Sequence, residues 1–153
     1  MKIAIGADHA GFELKEKLKQ HLVKRGYNVD DKGTVSTESV DYPDFAQKVA
    51  HEVASHNADY GVLVCGSGIG MAITANKVPG IRAANVSTEV EAQLSREHND
   101  ANIVAIGSRI VKESLAIDIV ERFLATAFAH GRHDQRLAKI AAIEIEECKT
   151  AKK

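Results

Sequence analysis

Tyr60-Gly61-Val62-Leu63-Val64-Cys65 runs straight into Gly66-Ser67-Gly68-Ile69-Gly70. The apolar run reads as a strand buried on both faces, the kind a parallel sheet requires. The glycines then turn the chain into a helix over about 69–77, which Pro79-Gly80 ends. The same alternation repeats to either side. Upstream, Ile3-Ala4-Ile5-Gly6-Ala7 is a second short apolar run, followed by Leu14, Leu18 and Leu22 at helical spacing, with Gly26 closing that helix. Tyr27-Asn28-Val29 gives a weaker strand and a polar stretch covers 30–41. Pro43 opens a helix with Phe45, Val49 and Val53 on one face. Downstream, 81–86 and 102–107 read as strands, with a helix over 89–97 between them. Val111, Leu115, Ile119 and Phe123 mark a helix over 110–128, about 28 Å long. After Gly131, Leu137, Ala141, Ile145 and Cys148 form the apolar stripe of a last helix, and Cys148 reads as packing. The expected fold is α/β: a Rossmann-like, doubly wound five-stranded parallel sheet in three α/β/α layers.

The 153 residues suit one domain over 1–153, and a chain of this size buries roughly 68–70% of its unfolded surface. Twenty Lys and Arg against 21 Asp and Glu leave a net charge of -1 with no basic block, which argues against a nucleic-acid or anionic-membrane partner. No apolar stretch approaches the roughly 18–20 residues of a membrane span, and the first segment turns polar at Asp8-His9, too soon for a secretory signal. The expected location is cytoplasmic. Cys65 and Cys148 make no disulfide framework. His21, His51 and His56 fall on polar helix faces without metal-ligand spacing, so no metal is expected.

In a parallel sheet, ligands bind at the carboxyl ends of the strands. Asp8-His9, Cys65 to Gly70, Ser87 and Ser108-Arg109 stand there. The glycine loop lets backbone N–H groups approach an anion. It is no dinucleotide fingerprint, because Met71 replaces the third glycine and Asn85-Val86 stand where an acidic residue should end the next strand. A tight turn for close helix–strand packing is the structural alternative. Cys65 is open to two readings, a small packed hydrophobe or a base whose thiolate the helix N-terminus favours. Ser67 adds a hydroxyl for a reacting oxygen.

Six motifs occur in order: Asp8-His9-Ala10-Gly11, Asp41-Tyr42-Pro43, Cys65-Gly66-Ser67-Gly68-Ile69-Gly70, His98-Asn99-Asp100-Ala101-Asn102, Gly107-Ser108-Arg109, and Gly131-Arg132-His133 with Arg136. Together they resemble type B ribose-5-phosphate isomerases, the family that also holds the galactose-6-phosphate isomerase subunits. The match spans roughly 1–147. The resemblance implies interconversion of phosphorylated aldoses and ketoses without metal or organic cofactor, by dimers or tetramers. It implies Cys65 as the base moving a proton between C1 and C2. Ser67 stands where many members have Thr. The N–H groups of Gly66, Gly68, Ile69 and Gly70 would stabilise the enediolate. His98 would open the furanose ring, with Asp8 sharing that work or orienting hydroxyls. Asn99 would bind near the reacting carbons, Tyr42 would line the pocket and His133 would belong to the same substrate site. His9, Arg109, Arg132 and Arg136 would hold the phosphate.

Each position also has a structural reading. Asp8 could be a helix N-cap, His98 a helix C-terminal cation, Tyr42 a staple before Pro43, and Arg132, His133 and Arg136 a solvated helix start. The element order adds a geometric expectation. Asp8, Cys65 and Arg109 end strands, whereas His98, Asn99, Arg132 and Arg136 follow returning helices and fall at the opposite edge. The expected partner is therefore a second copy, in a homodimer or homotetramer whose active site is shared. A flavodoxin-like module that senses an anion without turnover is the competing class.

Overall fold

The uninterrupted apolar run Tyr60–Cys65 (β3) occupies the centre of the sheet, where both of its faces are covered. β1 (Lys2–Ala7) pairs on one side and β5 (Ile103–Gly107) on the other, with β2 (Asn28–Asp31) and β4 (Ala83–Asn85) at the edges. The order is β2-β1-β3-β5-β4 and every pairing is parallel. The helices are α1 (Phe12–Lys24), α2 (Tyr42–Ala54), α3 (Ile69–Ala75), α4 (Glu89–Asn99), α5 (Glu113–Ala125) and α6 (Arg132–Thr150). This computed structural model describes residues 1–151; Lys152 and Lys153, at the end of the Lys-rich tail, lie outside them.

Because side chains alternate across a strand, the sheet feeds two cores. Ile3, Ile5, Val62, Val64, Val104 and Ile106 pack under α1, α4 and α5, with Leu18, Leu22, Ala92, Ile119 and Phe123. Ala4, Leu63, Cys65, Ile103 and Ala105 pack under α2 and α3, with Val49, Val53, Met71 and Ala75. The doubly wound α/β/α expectation holds. At the free edge of β4, Asn76 imitates a neighbouring strand: its Oδ1 accepts the Ala83 N–H at 2.8 Å and its Nδ2 donates to the Ala83 carbonyl at 2.9 Å.

Four expectations are corrected. The helix expected over 110–128 covers only 13 residues, about 20 Å. Its start is delayed because the Ile110 and Val111 N–H groups close a turn on the Gly107 carbonyl. It stops at Thr126, whose backbone turns extended (φ -94, ψ 126) and whose carbonyl is taken by Arg96. The second strand runs on through Asp30 and Asp31, two residues into the stretch read as a polar loop, because both carboxylates find lysines. The fourth strand shortens to three residues, although Ile81 and Val86 beyond its ends remain buried. Most of the stripe on α6 does not pack within the chain: Leu137 is half-buried, while Ala141, Ile145 and Cys148 are exposed, as are Ile140 and Ile143, and the buried residue of the helix is His133. Of the three histidines read onto polar helix faces, His51 is exposed on α2, His56 is exposed in the turn beyond the end of α2, and His21 is half-buried against Glu121 at 2.7 Å.

Lys15 is 1% exposed and holds the loop after β2. Its Nζ donates to Asp31 Oδ2 at 2.7 Å and to the Thr34 carbonyl at 3.0 Å. Lys19 reaches the same carboxylate oxygen at 2.8 Å. Burial alone would raise the Asp31 pKa, but the hydrogen bonds from Lys15, Lys19 and the Gly33 N–H outweigh it and hold the group below its ordinary value. A depressed folded-state pKa stabilises the fold above the unfolded-state value of 3.8 and loses that contribution as pH falls through the folded value. Asp31→Asn should therefore lower the urea midpoint at pH 7. The gap from the unaltered protein should close as unfolding is measured at successively lower pH, from 5 towards 2.

Candidate active site

The carboxyl edge of the sheet is stitched together by backbone and hydroxyl contacts. The Ser108 N–H donates to the Cys65 carbonyl at 2.8 Å and the Arg109 N–H to the Gly66 carbonyl at 3.0 Å. Ser108 Oγ donates to the Ala10 carbonyl at 2.8 Å, which ties the loop after β5 to the loop after β1. Within this frame Cys65 closes β3 with its side chain under α3, and the residue is 4% exposed. Its Sγ accepts the Gly68 N–H at 3.1 Å. Ser67 Oγ accepts the Ile69 N–H at 3.3 Å. The N–H groups of Gly66, Ser67 and Gly70 have no partner among the described residues. They border a cleft of about 290 Å³ lined by Tyr42, Cys65, Gly66, Ser67, Gly70, Arg109 and Ile110. Backbone donors, a hydroxyl, a thiol and a guanidinium thus converge on one small volume, a set able to move a proton beside an oxygen that gains negative charge.

Two glycines shape this loop. Gly68 has φ +78, and a Cβ there would stand 2.1 Å from Asn85 Nδ2 and 2.9 Å from the Ile106 carbonyl carbon. Gly70 lies under the Tyr42 ring, which a Cβ would meet at 2.6 Å. Tyr42 therefore covers the first turn of α3 rather than only stapling α2. Asn85, weighed in the sequence only as a missing acid, donates from Nδ2 to the Ser67 and Ala105 carbonyls, each at 3.3 Å, and so anchors the glycine loop to β5.

Asp8 is buried at the same edge, but it is not the helix N-cap. Its Oδ1 accepts the Gly11 N–H at 3.0 Å, closing a turn ahead of α1, whose cap residue is Gly11 without a side-chain bond. The Val40 N–H donates to His9 Nδ1 at 3.1 Å. Arg109 is exposed and lies over Gly66, its Nη1 3.0 Å from where a Cβ would be.

His98, Asn99, Arg132, His133 and Arg136 stand at the opposite edge. Arg96, two and three residues before His98 and Asn99 on α4, donates to the hydroxyl of Tyr60, which begins β3, whereas Cys65 ends it. Five residue steps along a parallel strand span about 16 Å. One chain therefore does not bring His98 to its own Cys65. The His98 and His133 rings stack with centroids 4.4 Å apart and planes at 14°. His133 is 6% exposed and its Nδ1 has no partner among the described residues. Desolvation, then the positive charge of His98, Arg132 and Arg136, lowers its pKa below the ordinary imidazole value. Arg132 and Arg136 are exposed at the start of α6.

Residues 3–140 match the family model described as Ribose/Galactose Isomerase. The chain belongs to the ribose/galactose isomerase family. It is 52% identical over 143 residues to ribose-5-phosphate isomerase B of Escherichia coli K12, covering 94% of this chain and 96% of that protein. The structure of Clostridium thermocellum ribose-5-phosphate isomerase B superposes with a TM-score of 0.95 at 53% identity, covering 96% of this chain and 99% of that one. That of Mycoplasma genitalium ribose-5-phosphate isomerase B with bound ribulose-5-phosphate does so with 0.91 at 42%, covering 95% and 97%. The expected isomerase class and Rossmann-like fold hold.

Gly68→Ala should cost about 2–4 kcal/mol of stability, from the strained φ and the overlap with Asn85. In a double-variant cycle read by denaturant midpoints, Asn85→Ala should relieve part of that loss, because it removes the atom the new methyl strikes.

Proposed function

We propose that this chain interconverts ribose 5-phosphate and ribulose 5-phosphate by a metal-independent enediolate mechanism without an organic cofactor. The observation that carries the reading is the Cys65 thiol, held by the Gly68 N–H beside unpartnered backbone donors in a cleft that Arg109 closes. The likeness to an isomerase structure containing ribulose-5-phosphate supports the substrate class. Cys65 as thiolate takes the proton from C2 of the open-chain aldose, the charge passes to the carbonyl oxygen, and the same proton returns to C1. The hydroxyl proton passes from O2 to O1. The free N–H groups of Gly66, Ser67 and Gly70 serve the oxygen that carries the charge, each donor being worth up to about 3–4 kcal/mol of barrier, while those of Gly68 and Ile69 hold the Cys65 sulfur and the Ser67 hydroxyl beside it. His98 serves ring opening with Asp8 orienting hydroxyls, Asn99 binds near the reacting carbons and Tyr42 lines the pocket. His9, Arg109, Arg132 and Arg136 take the phosphate, with His133 backing His98.

The residues 1–153 act as one isomerase domain in the cytoplasm, and the working unit is a homodimer or homotetramer. The two-edged distribution supports a shared site, with His98, Asn99, Arg132 and Arg136 lent to a neighbouring copy's Cys65. The exposed apolar residues of α6 support it too. Ile140, Ile143 and Cys148, with Ile81, Ala83 and Ala84, line a groove of about 690 Å³, which a second copy would fill. No nucleic acid or membrane takes part. Among the described residues no helix is long and apolar enough to cross a membrane.

Cys65→Ala and His98→Asn should each lower kcat, the former by about 10²–10⁴ with little change in substrate binding. A mixture of the two inactive chains should regain activity once subunits exchange, because each mixed dimer holds one intact pair. No recovery despite demonstrated exchange sinks the shared site, full activity in Cys65→Ala sinks the thiol as base, and absent turnover in the unaltered protein favours an anion sensor. A six-carbon substrate is the second reading, favoured by the galactose in the family's description. Measured with chelator present, kcat/KM should be highest for ribose 5-phosphate, ahead of allose 6-phosphate and galactose 6-phosphate.

A further inference from the structure

Asp100 lies between Asn99 and Asn102 in the His98-Asn99-Asp100-Ala101-Asn102 run, yet the proposed chemistry does not use it. It forms the left-handed C-cap of α4, with φ +43. Its carboxylate is divided between two arginines, Oδ1 accepting from Arg96 Nη1 at 2.7 Å and Oδ2 from Arg82 Nη2 at 3.0 Å. Arg82 also donates from Nε to the Asn99 and Asp100 carbonyls at 2.9 and 3.0 Å, and from Nη2 to the Asp100 carbonyl at 2.8 Å. These carbonyls belong to the end of the helix, where intrahelical partners run out. The backbone of Arg82 is itself pinned, its N–H donating to Asn102 Oδ1 at 2.8 Å, while Asn102 Nδ2 donates to the Gly80 carbonyl at 2.8 Å.

Arg96 has a different role. It is 4% exposed, lies over the Tyr60 and Phe123 rings and donates to the Ala101 and Thr126 carbonyls, which makes it part of the core. Arg82 is half-buried and reaches the helix end from outside that core. The helix terminus that carries His98 and Asn99 is therefore held on one side by a buried arginine and on the other by a bridging one.

We propose that Arg82 is a positioning residue for His98 and Asn99: with Asp100 it forms a clasp that fixes the end of α4 in the geometry presented to the neighbouring copy's Cys65. The inference rests on the shared-site reading. Its physical basis is that a misplacement of about 1 Å at a reacting group costs about 10²-fold in rate.

Subunit mixing tests the clasp, with differently tagged chains and purified hybrids. Arg82→Ala alone should lower kcat/KM about 10–100-fold while its oligomeric mass is unchanged. Paired with Cys65→Ala, it should recover as far as the Cys65→Ala and His98→Asn pair does. That hybrid joins the intact Cys65 loop of one chain to the unaltered His98 arm of the other. Paired with His98→Asn, it should not recover, because no site then has an intact arm. Recovery with His98→Asn, silence with Cys65→Ala, or an Arg82→Ala rate within twofold of the unaltered protein overturns the clasp. Silence of the Cys65→Ala and His98→Asn control is a separate outcome: it overturns the shared site, and the clasp with it. If Arg82→Ala fails to assemble, Asp100→Asn replaces it in every pairing, since it tolerates the left-handed cap and removes only the carboxylate.

Discussion

Parallel pairing on both sides of Tyr60–Cys65 is the interaction from which the remaining architecture follows. A parallel neighbour can be reached only by a crossover, so every strand ends on one edge and every returning helix delivers its last residues to the other. Asp8, Cys65 and Arg109 fall on the first edge, and His98, Asn99 and Arg132 on the second. The separation is a consequence of the sheet rather than of any loop, and no change of rotamer closes about 16 Å. Chemistry that needs residues from both edges therefore calls for a second copy.

Buried charge shapes both edges. Lys15 at one and Arg96 at the other are almost sealed from water, a costly arrangement unless each donor finds a partner. Lys15 meets this with Asp31 and the Thr34 carbonyl, fastening the start of the loop that later returns Val40 to His9. Arg96 meets it with Tyr60, Asp100 and two carbonyls, and so sets where α4 ends. Each buried cation organises a loop or helix end whose neighbouring residues belong to the candidate site. The apolar cores hold the sheet, while these polar anchors decide where its connections lie.

The local readings succeeded where one physical signal dominated. An unbroken apolar run has no stable place but the sheet centre, and β3 has the boundaries expected of it. The Cys65–Gly70 loop was legible as a donor-rich turn because glycine permits that approach. Elsewhere the pattern was silent. Periodicity showed that α6 is amphipathic without showing that nothing in its own chain covers most of the apolar side. Asp8 offered the residue type of an N-cap, but only the register of α1 shows that it closes the preceding turn. The bonds that Arg82 and Asn85 make carried no signal, because most of their partners are backbone carbonyls that any residue supplies.

What the amino-acid sequence determined alone is the α/β alternation, the glycine-lined turn after Cys65 and the ordered motifs of a sugar phosphate isomerase. These depend on residue types at short separations, where apolar period, missing Cβ atoms and turn chemistry act directly. The tertiary structure decided the insertion of β5 between β3 and β4, the carbonyls that Arg82 and Asn85 hold, and the exposure of α6. Those outcomes depend on which distant surfaces meet. A hydrogen bond from Asn85 to Ser67, or from Arg82 to Asn99, exists only after the sheet has brought together segments 17 or 18 residues apart.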